Sequence, residues 1–260
     1  MMRPLTTRYC RDTEHHDQAM QARDIIISGS FNTRDLGGYA TKYGRHVAWR
    51  KTFRSGNLAS VDQAGIATLK QLNVTRVIDL RSRREREAEP DPFGPDDNIE
   101  LVDIPLFDDL DPRHMPEGNV LLGLYLQALE TQGQTFVEIV RQIGSSSGAA
   151  LFHCTAGKDR TGLVAALLLS LAGAATEDII TDYAMTADRI RPLLDGLETT
   201  AKTINVNEAE LAPLLDCNPS TMRQTLGWLD ENYHGAENYL RSHGLADGDL
   251  NLVRAHLGVA

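Results

Sequence analysis

Between residues 24 and 153 the chain alternates short apolar runs with segments whose apolar residues return every three or four positions. The runs at 24–27, 48–53, 74–80, 99–104 and 149–153 are bounded by polar or glycine-bearing turns. Each has the length and apolar continuity of a strand buried on both faces. The stretches between them read as helices. Ser60-Val61-Asp62-Gln63 has the form of a capping box opening a helix to Leu72, and 120–131 and 136–143 repeat apolar residues at helical spacing. Alternation of this kind predicts an α/β domain with a central, mainly parallel sheet flanked by helices. From Thr161 onward the pattern is helical throughout, divided by Pro192, Pro213 and Pro219. No repeat or low-complexity tract interrupts it, so a helical C-terminal half on the same domain is expected.

The first 23 residues lack this periodicity and read as a polar leader, which leaves 24–260 as a single domain. The leader has no apolar core of the signal-peptide kind. No stretch approaches the roughly 18 consecutive apolar residues of a membrane span, so no stable membrane insertion is expected. A cytoplasmic location follows as the expectation, with leaderless secretion left open. The net charge of -10 argues against a nucleic-acid partner, so any site for an anion has to be built locally. Three cysteines, Cys10, Cys154 and Cys217, are too few and too scattered for a disulfide framework, and a reducing compartment would keep a thiol free.

One of these thiols sits in a distinctive setting. Leu151-Phe152-His153-Cys154-Thr155-Ala156-Gly157-Lys158-Asp159-Arg160-Thr161-Gly162 is an apolar strand end, a short loop and the start of the very apolar helix 163–171. Such a loop turns successive backbone N–H groups of Thr155, Ala156, Gly157 and Lys158 inward over the positive end of a helix dipole, which suits phosphate. The same field stabilises a thiolate at Cys154. Arg160 can fold back so that its planar fork grips two phosphate oxygens. Gly157 permits the tight path, and the Thr161 hydroxyl is placed to hydrogen-bond sulfur when it departs. His153 is expected to orient the loop as a buried histidine. Cys217-Asn218-Pro219-Ser220-Thr221-Met222-Arg223 repeats the Cys-to-Arg spacing but lacks the strand and the glycine, and its proline removes an N–H; it reads as a decoy.

His153-Cys154 through Arg160-Thr161 resembles the HC-x5-R-[ST] signature of the protein-tyrosine phosphatase superfamily. Residues 30–38 (Ser-Phe-Asn-Thr-Arg-Asp-Leu-Gly-Gly), 52–58 (Thr-Phe-Arg-Ser-Gly-Asn-Leu) and 77–82 (Val-Ile-Asp-Leu-Arg-Ser) are similar to N-terminal motifs of its bacterial tyrosine and phosphoinositide phosphatases, the relatives of mycobacterial protein-tyrosine phosphatase B. The resemblance implies a phosphatase fold, no metal or other cofactor, and hydrolysis of phosphotyrosine, with phosphoserine, phosphothreonine or phosphoinositides as further substrates. A catalytically dead phospho-ligand binding module is the rival from another class, disfavoured because both Cys154 and Arg160 are present. Lys158 would give a phosphoinositide headgroup a second cation.

In the superfamily a carboxyl group protonates the leaving oxygen from a loop after the strand that precedes the long helix before the cysteine. That strand is 100–104 here, and Asp108 best matches the position, with Asp109 and Asp111 as substitutes and Asp159 as runner-up. The Trp-Pro-Asp tripeptide of animal enzymes is absent. Only residues 109–119 separate this loop from the next helix, where relatives carry a long helical lid, so a more open site is expected. Arg81-Ser82-Arg83-Arg84-Glu85-Arg86-Glu87 reads as a solvated helix face rather than a docking patch for acidic partners. Asn32, Arg34, Asp35, Arg54, Asp79 and Arg81 read as scaffold, tying loops to the sheet by ion pairs. His15, His16 and Asp17 lack the spacing of a metal site.

Overall fold

The computed structural model describes residues 23–107, 119–190 and 217–260. Five strands, β1 (Arg34–Asp35), β2 (Thr52–Ser55), β3 (Val74–Asp79), β4 (Glu100–Asp103) and β5 (Ala149–His153), form one sheet in the order β1-β2-β5-β3-β4. Every pairing is parallel except β1 with β2. The register aligns Ser55 with His153, His153 with Asp79, and Asp79 with Asp103. The four parallel strands therefore end together, and the loops that follow them converge at one edge, where open α/β sheets bind ligands.

Helices cover both faces. They are α1 (Gln63–Gln71), α2 (Arg83–Ala88), α3 (Val120–Thr131), α4 (Gly133–Gly144), α5 (Asp159–Ala172), α6 (Thr176–Ala184), α7 (Thr186–Arg189), α8 (Pro219–Tyr233), α9 (Ala236–Ser242) and α10 (Asp247–His256). The period of two along β5 divides the core: Ala149 and Leu151 face a cluster under α1 with Phe53, Ile66 and Val77, whereas Ala150 and Phe152 face the larger cluster beneath α3 to α10. Helix α5 is apolar all round because it is enclosed, packed on β2 and β5 and covered by α4, α6 and α9. Truncating a fully buried residue here, such as Leu168, would cost about 2–5 kcal/mol. The helix that presents the cysteine loop is thereby fixed in the middle of the molecule.

The architecture matches the expected fold class, with local corrections. Residues 24–27 contribute only an isolated bridge between Asp24 and Arg34. The turn closed by Ser30 N–H on the Ile27 carbonyl (3.0 Å) ends pairing there, and Ile26 is 93% exposed. The run at 48–53 yields a strand only from Thr52, because Arg50 turns at φ +57° with its N–H held by the Asp35 carboxylate at 2.7 Å. Helix α1 is capped by Asp62, which accepts from Gly65 N–H at 2.9 Å, rather than by Ser60. Pro219 marks a segment boundary as expected, opening α8 at a first-turn position where its missing N–H is not needed. Arg23, assigned to the leader, is buried with its guanidinium 3.8 Å above the Tyr39 ring. Among the described residues no helix is long and apolar enough to cross a membrane.

Candidate active site

The cysteine loop begins where β5 ends and runs into α5. Its carbonyls are drawn outward by neighbours: Thr155 O accepts from Asn57 N–H (3.0 Å), Ala156 O and Gly157 O from the Asn32 side-chain amide (3.0 Å each), and Gly157 O also from Arg54 Nη2 (2.9 Å). With three successive carbonyls held outside, the N–H groups alternating with them face inward, above the N-terminus of α5. Gly157 makes the turn at φ +67°, and a Cβ there would lie 2.5 Å from Ser55 O. Cys154 lies at the base, 2% exposed, and the Thr161 hydroxyl donates to its Sγ at 3.1 Å. A buried thiol, a hydrogen-bond donor to its sulfur and the N-terminus of α5 are thus brought together.

Arg160 is held by Glu85. The carboxylate accepts from Nη1 at 2.7 Å and Nη2 at 2.8 Å, and also from the Thr155 hydroxyl and from Ser82 N–H at 2.8 Å. Partial burial alone would raise the Glu85 carboxyl, but the Arg160 hydrogen bonds and charge outweigh it and hold the group well below the usual carboxylate range. Burial alone would lower the Arg160 guanidinium, and Glu85 together with the charge at Cys154 raises it instead. The two terminal nitrogens also reach the loop and the sheet, Nη2 donating to the Thr155 hydroxyl at 3.2 Å and Nη1 to Leu80 O at 3.4 Å. The stretch 81–87 is therefore helical as expected, with its central acid turned onto Arg160 rather than into solvent. The Ser82–Glu85 capping-box spacing was the available signal.

Lys158, read as a second cation for substrate, is 1% exposed with Nζ 3.3 Å from the Asp159 carboxylate, so its side chain is committed to the loop. Asp159 also accepts from the Tyr125 hydroxyl at 2.5 Å, and that hydroxyl lies 2.9 Å from the Tyr183 hydroxyl. Burial, then the charge of Asp159, pushes the Tyr125 phenol well above its ordinary range, so Tyr125 remains a donor. Two donors on Asp159 fit a loop-fixing group better than a proton donor facing substrate.

Beneath the loop, Asp182 binds Arg34 Nε at 3.0 Å, Arg54 Nη1, and the Tyr39 hydroxyl at 3.2 Å. Burial would raise Asp182, yet the charges of Arg34 and Arg54 hold it well below the carboxylate range, while burial pushes Arg54 down to about 10. Removing Asp182 would leave two buried guanidiniums uncompensated, a loss of about 3–5 kcal/mol. On the other side Arg81 bridges Asp79 (2.7 Å) and Asp91 (2.9 Å), and His153 Nε2 lies 3.1 Å from Asp91. Asp79, Asp91 and His153 offer ligand atoms within 4.8 Å of one another, but the Arg81 guanidinium already binds both carboxylates, so the set reads as an ion-pair network.

The structure thus brings together Cys154, Thr155, Ala156, Gly157, Lys158, Asp159, Arg160 and Thr161, and it ties Asn32, Arg34, Arg54, Asp79 and Arg81 into the scaffold as expected. Asp108, Asp109 and Asp111 lie outside the described residues, as do His15, His16, Asp17 and Cys10. In the second Cys-to-Arg stretch, Cys217 is buried and Arg223 pairs with Glu177 on the surface of α8. Glu85, Asp91, Tyr125, Asp182 and Tyr183 were not singled out by their sequence context.

Residues 25–258 match the profile of the tyrosine phosphatase family. A Cupriavidus necator protein provisionally named as a tyrosine-protein phosphatase is 30% identical over 246 residues, 90% of this chain and 88% of the relative. The triple specificity protein phosphatase PtpB of Mycobacterium tuberculosis is 28% identical, with 89% of this chain and 98% of the relative covered. The crystal structure of P. aeruginosa TpbA aligns at a TM-score of 0.34 and 18% identity over 52% of this chain and 68% of that one. With a family profile matched from residue 25 to residue 258 and a cysteine loop of the corresponding form, the chain belongs to the tyrosine phosphatase family, hydrolases of phosphoric monoesters.

Proposed function

We propose that Cys154 is the nucleophile of this phosphatase, that Arg160 and the inward N–H groups hold the phosphoryl group, and that protein phosphotyrosine is the principal substrate. In the first step the Cys154 thiolate attacks phosphorus in line with the ester oxygen. The S–P bond forms, the P–O bond breaks, and the leaving oxygen takes a proton from a carboxyl group, for which Asp108 is the sequence candidate. In the second step water attacks phosphorus, the S–P bond breaks, phosphate leaves, and sulfur departs as thiolate under the Thr161 hydrogen bond. The observation that carries this reading is that 3.1 Å bond to Cys154 Sγ within a loop whose carbonyls are tied outward.

The depth of Cys154 favours a phosphoryl group carried on a long, slender side chain, which is phosphotyrosine before phosphoserine or phosphothreonine. The mycobacterial relative is named a triple specificity protein phosphatase, which supports testing more than one class of phosphate ester. A phosphoinositide preference leaned on Lys158, whose buried pairing with Asp159 makes it the lesser reading. Turnover is to be measured on phosphotyrosine, phosphoserine and phosphothreonine peptides and on phosphoinositide vesicles, for the wild type and Cys154→Ser. Cys154→Ser should abolish every activity while inorganic phosphate still binds, because the amides and Arg160 remain. Normal turnover by Cys154→Ser overturns the nucleophile, and vesicles hydrolysed faster than every peptide overturn the substrate assignment.

A further inference from the structure

The geometry points to α6 as a positioning element of the cysteine loop, acting through two neighbouring residues, Asp182 and Tyr183; the inference rests on the role proposed for that loop. Consecutive residues on a helix point about 100° apart, so one helix can address two different structures. Asp182 organises Arg34 and Arg54. Arg54 reaches the Gly157 carbonyl (2.9 Å), while Arg34 Nη1 holds the Asn32 side-chain oxygen (2.5 Å), leaving the Asn32 amide to grip the carbonyls of residues 156 and 157. Tyr183 addresses the other flank: its hydroxyl meets that of Tyr125, which donates to Asp159 (2.5 Å). The two arms therefore end on residues 156–157 and on residue 159, on either side of the turn that delivers Arg160.

Each member of both arms is buried: Arg34, Arg54 and Tyr125 at 0%, and Asp182 and Tyr183 at 1%. Buried ionic groups are a weak source of stability compared with apolar side chains of similar size. What this set supplies is direction: it fixes where the loop carbonyls point, hence where the N–H groups point, and it sets the start of α5. The α5–α6 contact is close enough to transmit this, since a Cβ on Gly162 would come within 3.1 Å of the Tyr183 ring. The loop must match the phosphoryl group most closely when three equatorial oxygens are spread in the transition state, so loosening an arm should lower kcat more than it raises KM.

The test uses Arg54→Lys, which keeps a cation beside Asp182 but lacks the fork needed to reach Gly157 as well, and Tyr125→Phe and Tyr183→Phe, which remove single hydroxyls. Inhibition by vanadate reports the transition-state-like oxyanion, inhibition by inorganic phosphate the ground state, and thermal melting the fold. Arg54→Lys should lower kcat and weaken vanadate inhibition together by about 10- to 100-fold, with phosphate inhibition changed less. The two phenylalanine variants should fall in the same direction by smaller factors, and their double variant by no more than the worse single one. Variants that melt earlier yet retain wild-type kcat and vanadate inhibition overturn the inference and leave the arms purely structural. Wild-type turnover and its loss in Cys154→Ser test the underlying phosphatase reading separately.

Discussion

Replacing Glu85 with glutamine changes one oxygen into a donor amide and so places N–H against N–H on one arm of the Arg160 fork. The lost interaction is one charge-assisted bond of about 1.5–3 kcal/mol, reduced by the partial exposure of the pair to about 1–2 kcal/mol. An arginine no longer pre-aligned binds the phosphoryl group more weakly by that amount, so KM and the inhibition constant for inorganic phosphate should both rise about 5- to 30-fold. Steady-state rates on p-nitrophenyl phosphate, with phosphate as competitor, measure both. The alternative is that Glu85 occupies the place of the phosphate. In that case Glu85→Gln would lower KM and tighten phosphate, and a fall in either constant refutes the positioning argument. The sign of the pH dependence follows from the depressed Glu85 carboxyl: its stabilisation is present above the ordinary carboxylate value near 4.5 and is lost only as pH falls through the lower folded value. The clasp should therefore persist through the neutral and mildly acidic range.

Gly157→Ala would place a methyl 2.5 Å from Ser55 O at a positive φ, so turnover should fall by about 100-fold or more, and a fully active variant would show that the turn relaxes freely. Asp108→Asn should slow alkyl phosphates far more than nitrophenyl phosphate, whereas Asp159→Asn, which weakens the Lys158 and Tyr125 contacts, should slow both alike. Rates on both leaving groups across pH decide this, and the reverse pattern moves the acid into the cysteine loop. His256 is pushed below its ordinary value near 6.5 by burial, so it contributes stability that is present above that value and declines as pH falls through its folded value. Melting temperatures between pH 8 and 5 should drop on the acid side, and His256→Gln should flatten that drop; an unchanged slope would exclude the residue.

The cysteine loop was legible because its strand, glycine, arginine and helix are contiguous, although the Asn32, Arg54 and Asn57 groups that orient its carbonyls are not. The strand 149–153, the glycine, the arginine and the apolar helix follow one another without a break, and periodicity reads such a unit directly. The Ser82–Glu85 spacing signals a helix cap, but nothing in a helix of mixed charges shows that the same carboxylate meets a guanidinium 75 residues away. Asp182 and Tyr183 sit in an ordinary amphipathic helix, and their partners Arg54 and Tyr125 are far off in the chain. The motifs around Arg34, Arg54 and Arg81 were read as scaffold from the pairing that buried charge requires; Asp79 lies in the same motif as Arg81, whereas Asp182 and Asp91 had no local signature. The strand placed at 24–27 failed for the opposite reason: three isoleucines in a row suggest burial, but a tight turn at Gly29 ends the pairing and leaves the middle one in solvent.

The order β1-β2-β5-β3-β4 places the last strand among the described residues in the centre of the sheet, between two strands made long before it. β2 and β3 do not pair with each other, so until residues 149–153 arrive each of them has an open edge facing a gap one strand wide. The closing strand is the one whose final residue precedes Cys154. Closing the sheet and placing the cysteine loop therefore depend on the same non-local pairing, a kind of contact that is intrinsically slow to form. Chains that end before Ala149 lack both the strand that joins β2 to β3 and the thiol of Cys154.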